Sequence, residues 1–393
     1  MSDPWVTIIG LGEDSMDGLS TASRRAIADA DIIFGGPRHL ELVGAGERGA
    51  PWPVPFSIAP VLDAQGRVVV LASGDPFWFG AGSMLAEALP RGAWVVHPAP
   101  STFALVAGAL GWRMEGVQCV GLHAAPLTRL RPVVQNGARL ICTMRDGAAP
   151  AELAEYLCEA GFGASQLTVA QAMGGPRQQL RSCRADAFDL TDISAPVAVA
   201  LKVAGCGLSG ASGLPDDLFA NDGQITKQPV RALTLSALAP RAGEHLWDLG
   251  AGSGSISVEW CLAARGATSS ALEVRADRAA NVVTNAAQFG LDHRISVTTA
   301  RVPEGLSALP PPDAVFIGGG ATEGMLTAVW DAMPAGARLV MNGVTLETEA
   351  LLAIWHARHG GRLIQVSIAE AEPLGRMRGW CAARPVTQWS VTR

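Results

Sequence analysis

The stretch His245–Trp260, HLWDLGAGSGSISVEW, decides how the fold is read. An apolar run closes on Asp248, glycines recur at Gly250, Gly252 and Gly254, and a helical pattern opens with Ile256, Val258 and Trp260. A strand, a tight turn and a helix in that order form the phosphate- or cofactor-cradling unit of an α/β domain, because the turn brings main-chain N–H groups to a helix start. The dinucleotide fingerprint needs its third glycine one place later, where Ser255 stands. Glu273 ends the next apolar run, Ala271–Leu272, at the place where an acid receives ribose hydroxyls in such domains. A structural glycine-rich turn in another α/β protein is the alternative.

Outward from this turn, strands and helices alternate. Helix Val230–Leu238 is expected before it, and strands Ser270–Val274, Ile295–Thr299, Ala314–Ile317, Arg338–Asn342 and Leu363–Ile368 after it. Trp380–Arg384 and Val386–Val391 read as antiparallel strands at the end of a largely parallel sheet. The first half alternates in the same way. Strand Trp5–Ile9 runs into Gly10-Leu11-Gly12, and a helix from about Ser20 to Ala30 is capped by Ser20 or Thr21. Strands Asp31–Phe34, Val68–Ala72, Trp94–His97, Arg139–Thr143, Gln166–Ala170 and Val197–Val203 follow, with a helix at Pro150–Ala160. Gly, Ser, Pro, Asp and Asn then dominate residues 206–228, which divide a domain at 1–205 from one at 229–393. Each domain opens a strand into a Gly-x-Gly turn, so each is fit to hold one nucleotide-like cofactor.

Composition narrows the function. The 393 residues are 49% hydrophobic and 17% charged, which fits buried α/β cores and excludes a disordered chain. Net charge is −6 without a polybasic run, so nucleic acid is not an expected partner. No apolar run reaches the roughly 18 residues of a membrane helix, and the start lacks a basic, apolar leader. Seven scattered cysteines without Cys-x-x-Cys are expected to be reduced core thiols in a cytoplasm. No metal site is expected: His356 and His359 lack companion ligands and read as an exposed helix face.

Longer motifs carry resemblances. Asp248-x-Gly-x-Gly-x-Gly resembles the first motif of class I S-adenosylmethionine (SAM) methyltransferases. GLGEDSMDGLS, ADADIIFGGPRHLEL, LASGDPFWFGAG and PAPSTFALVAGALGW resemble, in order and spacing, the tetrapyrrole (corrin/porphyrin) methylase family. One departure stands out: the family's Gly-x-Gly-Pro-Gly loop has Glu13 and Asp14 here, an acidic pair that meets substrate or faces solvent. GLPDDLF (Gly213–Phe219), ITKQPVR (Ile225–Arg231), ARVPEGL (Ala300–Leu306) and VFIGGG (Val315–Gly320) resemble the decarboxylating precorrin methyltransferase domain of cobalamin biosynthesis.

These resemblances imply a two-lobed tetrapyrrole methylase fold followed by a Rossmann-like class I methyltransferase fold. They imply one SAM site per domain, a precorrin substrate, and an assembly of identical copies. Contacts to SAM would fall on Ser73, Gly74, Asp75, Ser101, Thr102, Met144 and Ala172 in the first domain. In the second they would fall on Thr226, Gly250, Ala251, Gly252, Ser253, Gly254, Glu273, Ala300 and Val302. Thr226 is alternatively the N-cap of the helix that follows it, Met144 a core residue, and Gly318-Gly319-Gly320 either a wall facing the methyl or a flexible turn. Substrate carboxylates call for cations, for which Lys227, Arg231, Arg376 and Arg378 are candidates against plain surface solvation. The implied reaction is methylation of the macrocycle at positions 5 and 15 with loss of carbon dioxide from the ring C acetate, giving precorrin-8X. A wall of tryptophans is expected to desolvate that acetate. The competing readings are a methyltransferase acting on another porphyrinoid or a protein, a nicotinamide oxidoreductase, and a non-enzymatic binding module.

Overall fold

A computed structural model describes residues 4–393, so the first three residues of the expected 1–205 domain lie outside it. The chain divides into two compact units, Met1–Leu127 with Val133–Cys206, and Thr128–Pro132 with Gly207–Arg393.

The first unit contains two sheets. Strands β1 (Val6–Leu11), β2 (Ile32–Gly35), β3 (Gly49–Pro51), β4 (Val68–Ser73) and β5 (Trp94–His97) form a parallel sheet in the order β3-β2-β4-β1-β5. The run Val68–Ala72 is wholly buried, as a parallel strand covered on both faces must be. Between the strands, helix Thr21–Asp29 starts where Ser20 Oγ accepts from Ser23 N at 3.1 Å, so Ser20 is the cap. Strands β6 (Val117–Gly121), β7 (Arg139–Thr143), β8 (Gln166–Gln171), β9 (Gln179–Arg184) and β10 (Val197–Lys202) form a mixed sheet in the order β6-β7-β10-β8-β9. Only β6 and β7 pair in parallel; β10 runs antiparallel to both neighbours, and β8–β9 is a hairpin. Strands β3, β6 and β9 give no apolar run in the sequence because each is an edge strand with one open side.

The second unit is built on β11 (His245–Leu249), β12 (Thr268–Glu273), β13 (Ile295–Thr299), β14 (Ala314–Ile317), β15 (Arg338–Gly343), β16 (Arg362–Val366), β17 (Ala369–Leu374), β18 (Met377–Ala382) and β19 (Val386–Thr392). Seven of them form one sheet in the order β13-β12-β11-β14-β15-β19-β16, parallel up to β15. Of the two strands expected to be antiparallel at the end of the sheet, only the second joins it. β19 slots antiparallel between β15 and β16, whereas β18 pairs with β17 in a separate ribbon. Burial explains the difference: β19 hides both faces through Val386, Thr387, Gln388 and Trp389, while nearly every residue of β17 and β18 is exposed. Residues 206–228, whose composition reads as a linker, place Leu208, Leu214, Phe219 and Ile225 in the core of this unit.

Other expectations shift as well. Cys142 and Cys261 are core thiols, but Cys158, Cys206 and Cys381 are exposed. His359 does not lie on a solvated face; its ring packs 4.3 Å from Trp330 and 4.8 Å from Trp355. No helix of the described residues is long and apolar enough to cross a membrane.

Candidate active site

In the first unit, register decides where a site forms. Leu11 pairs with Ser73, so the turns that leave β1 and β4 emerge side by side. Gly74 N donates to Leu11 O at 2.9 Å and Ala99 N donates to Gly74 O at 3.2 Å, tying in the loop after β5. Gly74 adopts φ +57°, and a Cβ there would meet Pro100 O and Ser101 Cα at 2.8 Å, so only glycine allows this approach. Above these loops lies a cavity of about 670 Å³, lined by Ser73, Gly74, Ser101, Thr102 and Met144. Trp52, Phe56, Trp78 and Phe79 give it a largely aromatic wall.

Two expected contacts stand aside from this lining. Asp75 turns its carboxylate back to accept from Phe77 N at 2.9 Å, and Met173 lines the cavity in place of its neighbour Ala172, which is held at φ +44°. The acidic pair splits. Asp14 faces solvent, while Glu13 lines the cavity, paired with Arg38 and, at 3.5 Å, with Arg177. Arg38 and His39, which sequence reasoning did not single out, form a cluster with Ser73. His39 Nε2 lies 2.9 Å from Ser73 Oγ and 2.9 Å from Arg38 Nη2. Burial, and then the Arg38 charge, push the His39 imidazole down to about 4, so the ring is neutral near pH 7. The signal was present in GGPRHL, where a helix begins immediately after a buried strand.

In the second unit the turn after β11 bends under a cavity of about 780 Å³. Gly250 N and Ala251 N both donate to Leu272 O, and Gly252 N donates to Glu273 Oε2 at 2.9 Å. Glu273 thus ties β12 to the turn and still lines the cavity. The glycines divide their roles. A Cβ on Gly254 would meet Val282 at 2.6 Å, so Gly254 serves helix packing. At Gly250 and Gly252 the nearest atoms lie 3.8 Å away, which leaves an open cradle for a ligand. Asp248 is wholly buried: Oδ2 accepts from Ser257 Oγ at 2.6 Å and from Ser257 N at 3.2 Å, while Oδ1 has no partner. Desolvation raises its carboxyl to about 6. An open glycine cradle beside an unpaired acid and a ribose-type acid fits SAM.

Thr226, Lys227, Ala251, Ser253, Gly318, Gly319 and Gly320 line this cavity; Gly252, Gly254, Ala300 and Val302 do not. Ala300 is nonetheless joined to the acid's strand, its N donating to Glu273 O at 3.2 Å. The helix after Thr226 spans Gln228–Leu238 with Lys227 as its N-cap, so the capping alternative for Thr226 falls away. Arg231 is 0% exposed. It bonds Glu259 at 2.5 Å, Asp216 at 3.0 Å and the carbonyls of Thr226 and Leu214, and it lies 4.8 Å over the Phe219 ring. With its donors spent inside, it anchors the segment that presents Thr226 and is not offered to a substrate. Arg376 and Arg378 sit on the exposed β17–β18 ribbon outside the lining, where Arg384 and Arg278 appear instead. No tryptophan lines the cavity; its apolar side is Ile225, Phe316, Val344, Val366, Ile368 and Val386.

Comparison with known proteins agrees with both halves. Residues 6–189 match the tetrapyrrole (corrin/porphyrin) methylases, and residues 217–393 match the precorrin methyltransferase domain. A protein of Sinorhizobium sp, precorrin-6Y C(5,15)-methyltransferase [decarboxylating], is 45% identical over 99% of this chain and 97% of its own. The chain belongs to the precorrin-6Y C(5,15)-methyltransferase (decarboxylating) family. It is therefore a methyltransferase, and membership in methyltransferase families implies use of SAM. A shorter relative from Pyrobaculum calidifontis, a probable cobalt-precorrin-6B C(15)-methyltransferase (decarboxylating), is 35% identical over 44% of this chain and 92% of its own. A solved C-terminal domain of precorrin-6Y C5,15-methyltransferase from Rhodobacter capsulatus is 54% identical, covering 47% of this chain and 100% of that one, with a TM-score of 0.46.

Proposed function

We propose that this chain methylates a precorrin macrocycle at positions 5 and 15 and releases carbon dioxide from its ring C acetate, with one SAM site in each unit. The observation that carries the reading is the pair of separate cavities, each floored by a glycine turn at the carboxyl edge of a parallel sheet, the ligand edge of such sheets. Position 5 falls to the first unit; position 15 and decarboxylation fall to the second. The name of the shorter Pyrobaculum relative, a C(15)-methyltransferase (decarboxylating) matching under half of this chain, supports that division. The second unit's core takes in residues 207–228, so the second domain of this reading begins near Gly207 instead of at 229.

Bound SAM supplies an electrophilic methyl, and an electron-rich ring carbon is nucleophile enough. The chain's part is therefore to place the two reactants in line and to exclude water. In the first cavity, main-chain groups around Gly74 and the Ser101–Thr102 helix start hold the cofactor, while Trp52, Phe56, Trp78 and Phe79 cover an apolar macrocycle face. In the second, Thr226, the Gly250 turn and Glu273 hold the cofactor, while Lys227 and Arg384 meet substrate carboxylates. Val344, Val366, Ile368 and Val386 strip water from the acetate, which weakens its carboxylate relative to the delocalised pair left on the macrocycle.

Mass spectrometry of the reaction with SAM and a reduced precorrin-6 tests this. The full chain is expected to add two methyls and lose one carbon dioxide. Gly250→Val is expected to leave only the position-5 methyl, and Gly74→Val only the position-15 methyl with decarboxylation. SAM binding without any mass change would move the enzyme to another substrate.

A further inference from the structure

C-methylation at an unsaturated ring carbon replaces C–H by C–CH₃. The methyl arrives as a cation equivalent, so the carbon that receives it keeps its hydrogen, and the macrocycle a positive charge, until that proton leaves. The side chains lining the cavity are the acceptors that the chain can place at that carbon. The titratable side chains lining the first cavity are Glu13, Arg38, His39 and His123. Glu13 is spent on Arg38 and Arg177, and Arg38 only donates. His123 is exposed, with its Nδ1 3.3 Å from Thr143 Oγ1.

His39 is different, because its partners fix its tautomer. Arg38 Nη2, 2.9 Å from Nε2, is a donor, so Nε2 is the acceptor and the ring proton sits on Nδ1. Ser73 Oγ, 2.9 Å from the same Nε2, is a second donor that shares this nitrogen's single lone pair with Arg38, while accepting from Arg38 Nη2 at 3.1 Å. The Ser73 hydroxyl is thereby aimed at an imidazole nitrogen, with an oxygen lone pair left for the cavity. Resting on the assignment of position 5 to this unit, we infer that Ser73 and His39 form the relay that removes the proton from the newly methylated carbon. The C–H bond breaks and its electron pair returns to the macrocycle; the proton passes to Ser73 Oγ as the Ser73 proton passes to Nε2, which gives up its hydrogen bond from Arg38 while Arg38 keeps its bond to Ser73. The proton reaches water on product release, because the Arg38 charge beside His39 disfavours keeping it.

The test has a spectroscopic and a kinetic arm. In ¹⁵N NMR of the wild-type chain, the His39 ring is expected to stay neutral as the Nδ1–H tautomer from about pH 8 down to about pH 5. An Nε2–H tautomer, or a ring protonated near pH 7, would overturn the relay. In the mass assay, His39→Gln, which still accepts from Ser73 but takes up no proton, is expected to lose the position-5 methyl rate by about 100-fold or more. SAM binding and the reactions of the second unit should hold, which also controls for folding. Ser73→Ala should cost a similar factor and the double variant no more, since the two act as one device. Added imidazole should restore His39→Ala by about tenfold. Unchanged rates in His39→Gln, multiplying losses in the double variant, or no rescue would each defeat the inference. Should the wild type gain no position-5 methyl, the functional reading fails first and the relay with it.

Discussion

Two charged residues of the second unit sit in full burial with opposite outcomes. Arg231 meets an acceptor with each of its three nitrogens, so its charge is matched within the fold. Asp248 is not matched: one of its oxygens is orphaned, and Glu273 adds a like charge. Its folded-state value of about 6 lies above the unfolded value near 3.8. The folded chain therefore binds this proton more tightly, and the contribution is full below about pH 4 and lost as pH rises through about 6. Denaturant unfolding of the ligand-free chain should show wild type losing about 1 kcal/mol between about pH 5 and about pH 7.5 relative to Asp248→Asn, out of about 3 kcal/mol overall. Parallel pH profiles for the two chains would show that Asp248 is already ionised in the fold. Glu13 makes a related point in the first unit. Its sequence neighbour Asp14 has the same charge, yet Glu13 pairs inward with Arg38 and Arg177 while Asp14 faces solvent.

For a single element, the turn after β11 separates two demands that look alike as letters. Gly250 and Gly254 both hold positive φ, +73° and +71°, so alanine at either costs about 1 kcal/mol in backbone strain. Gly254→Ala also drives a Cβ into Val282, and should lose about 2–3 kcal/mol or more in total. Gly250→Ala should lose only the strain, yet weaken SAM binding by about tenfold, because its new methyl enters the cradle. Urea titration paired with calorimetric SAM binding distinguishes them; equal stability losses would refute the division of roles.

At the scale of the molecule, two of the cavities formed by the described residues are of similar size and lie on two differently built sheets. If each takes a cofactor, equilibrium dialysis of the full chain should find two SAM per chain, and Gly250→Val should reduce this to one. A single site in the wild type would remove the first unit from methyl transfer.

The sequence by itself determined the two α/β units and the turns that floor both cavities, because buried parallel strands leave continuous apolar runs and their exits demand glycine. It marked Glu273 as a cavity residue through its spacing to the turn, and Thr226 through the family motif that ITKQPVR resembles. Tertiary structure alone decided what long-range pairing sets: that β19 enters the sheet and β18 leaves it, and that Arg231 is an internal anchor. It also decided that Arg384 reaches the cavity and that His39 meets Ser73 across 34 residues of chain. The physical reason is the same in each case. A strand's exit is encoded by its own residues, but the burial and protonation of a polar side chain depend on partners that only folding brings near.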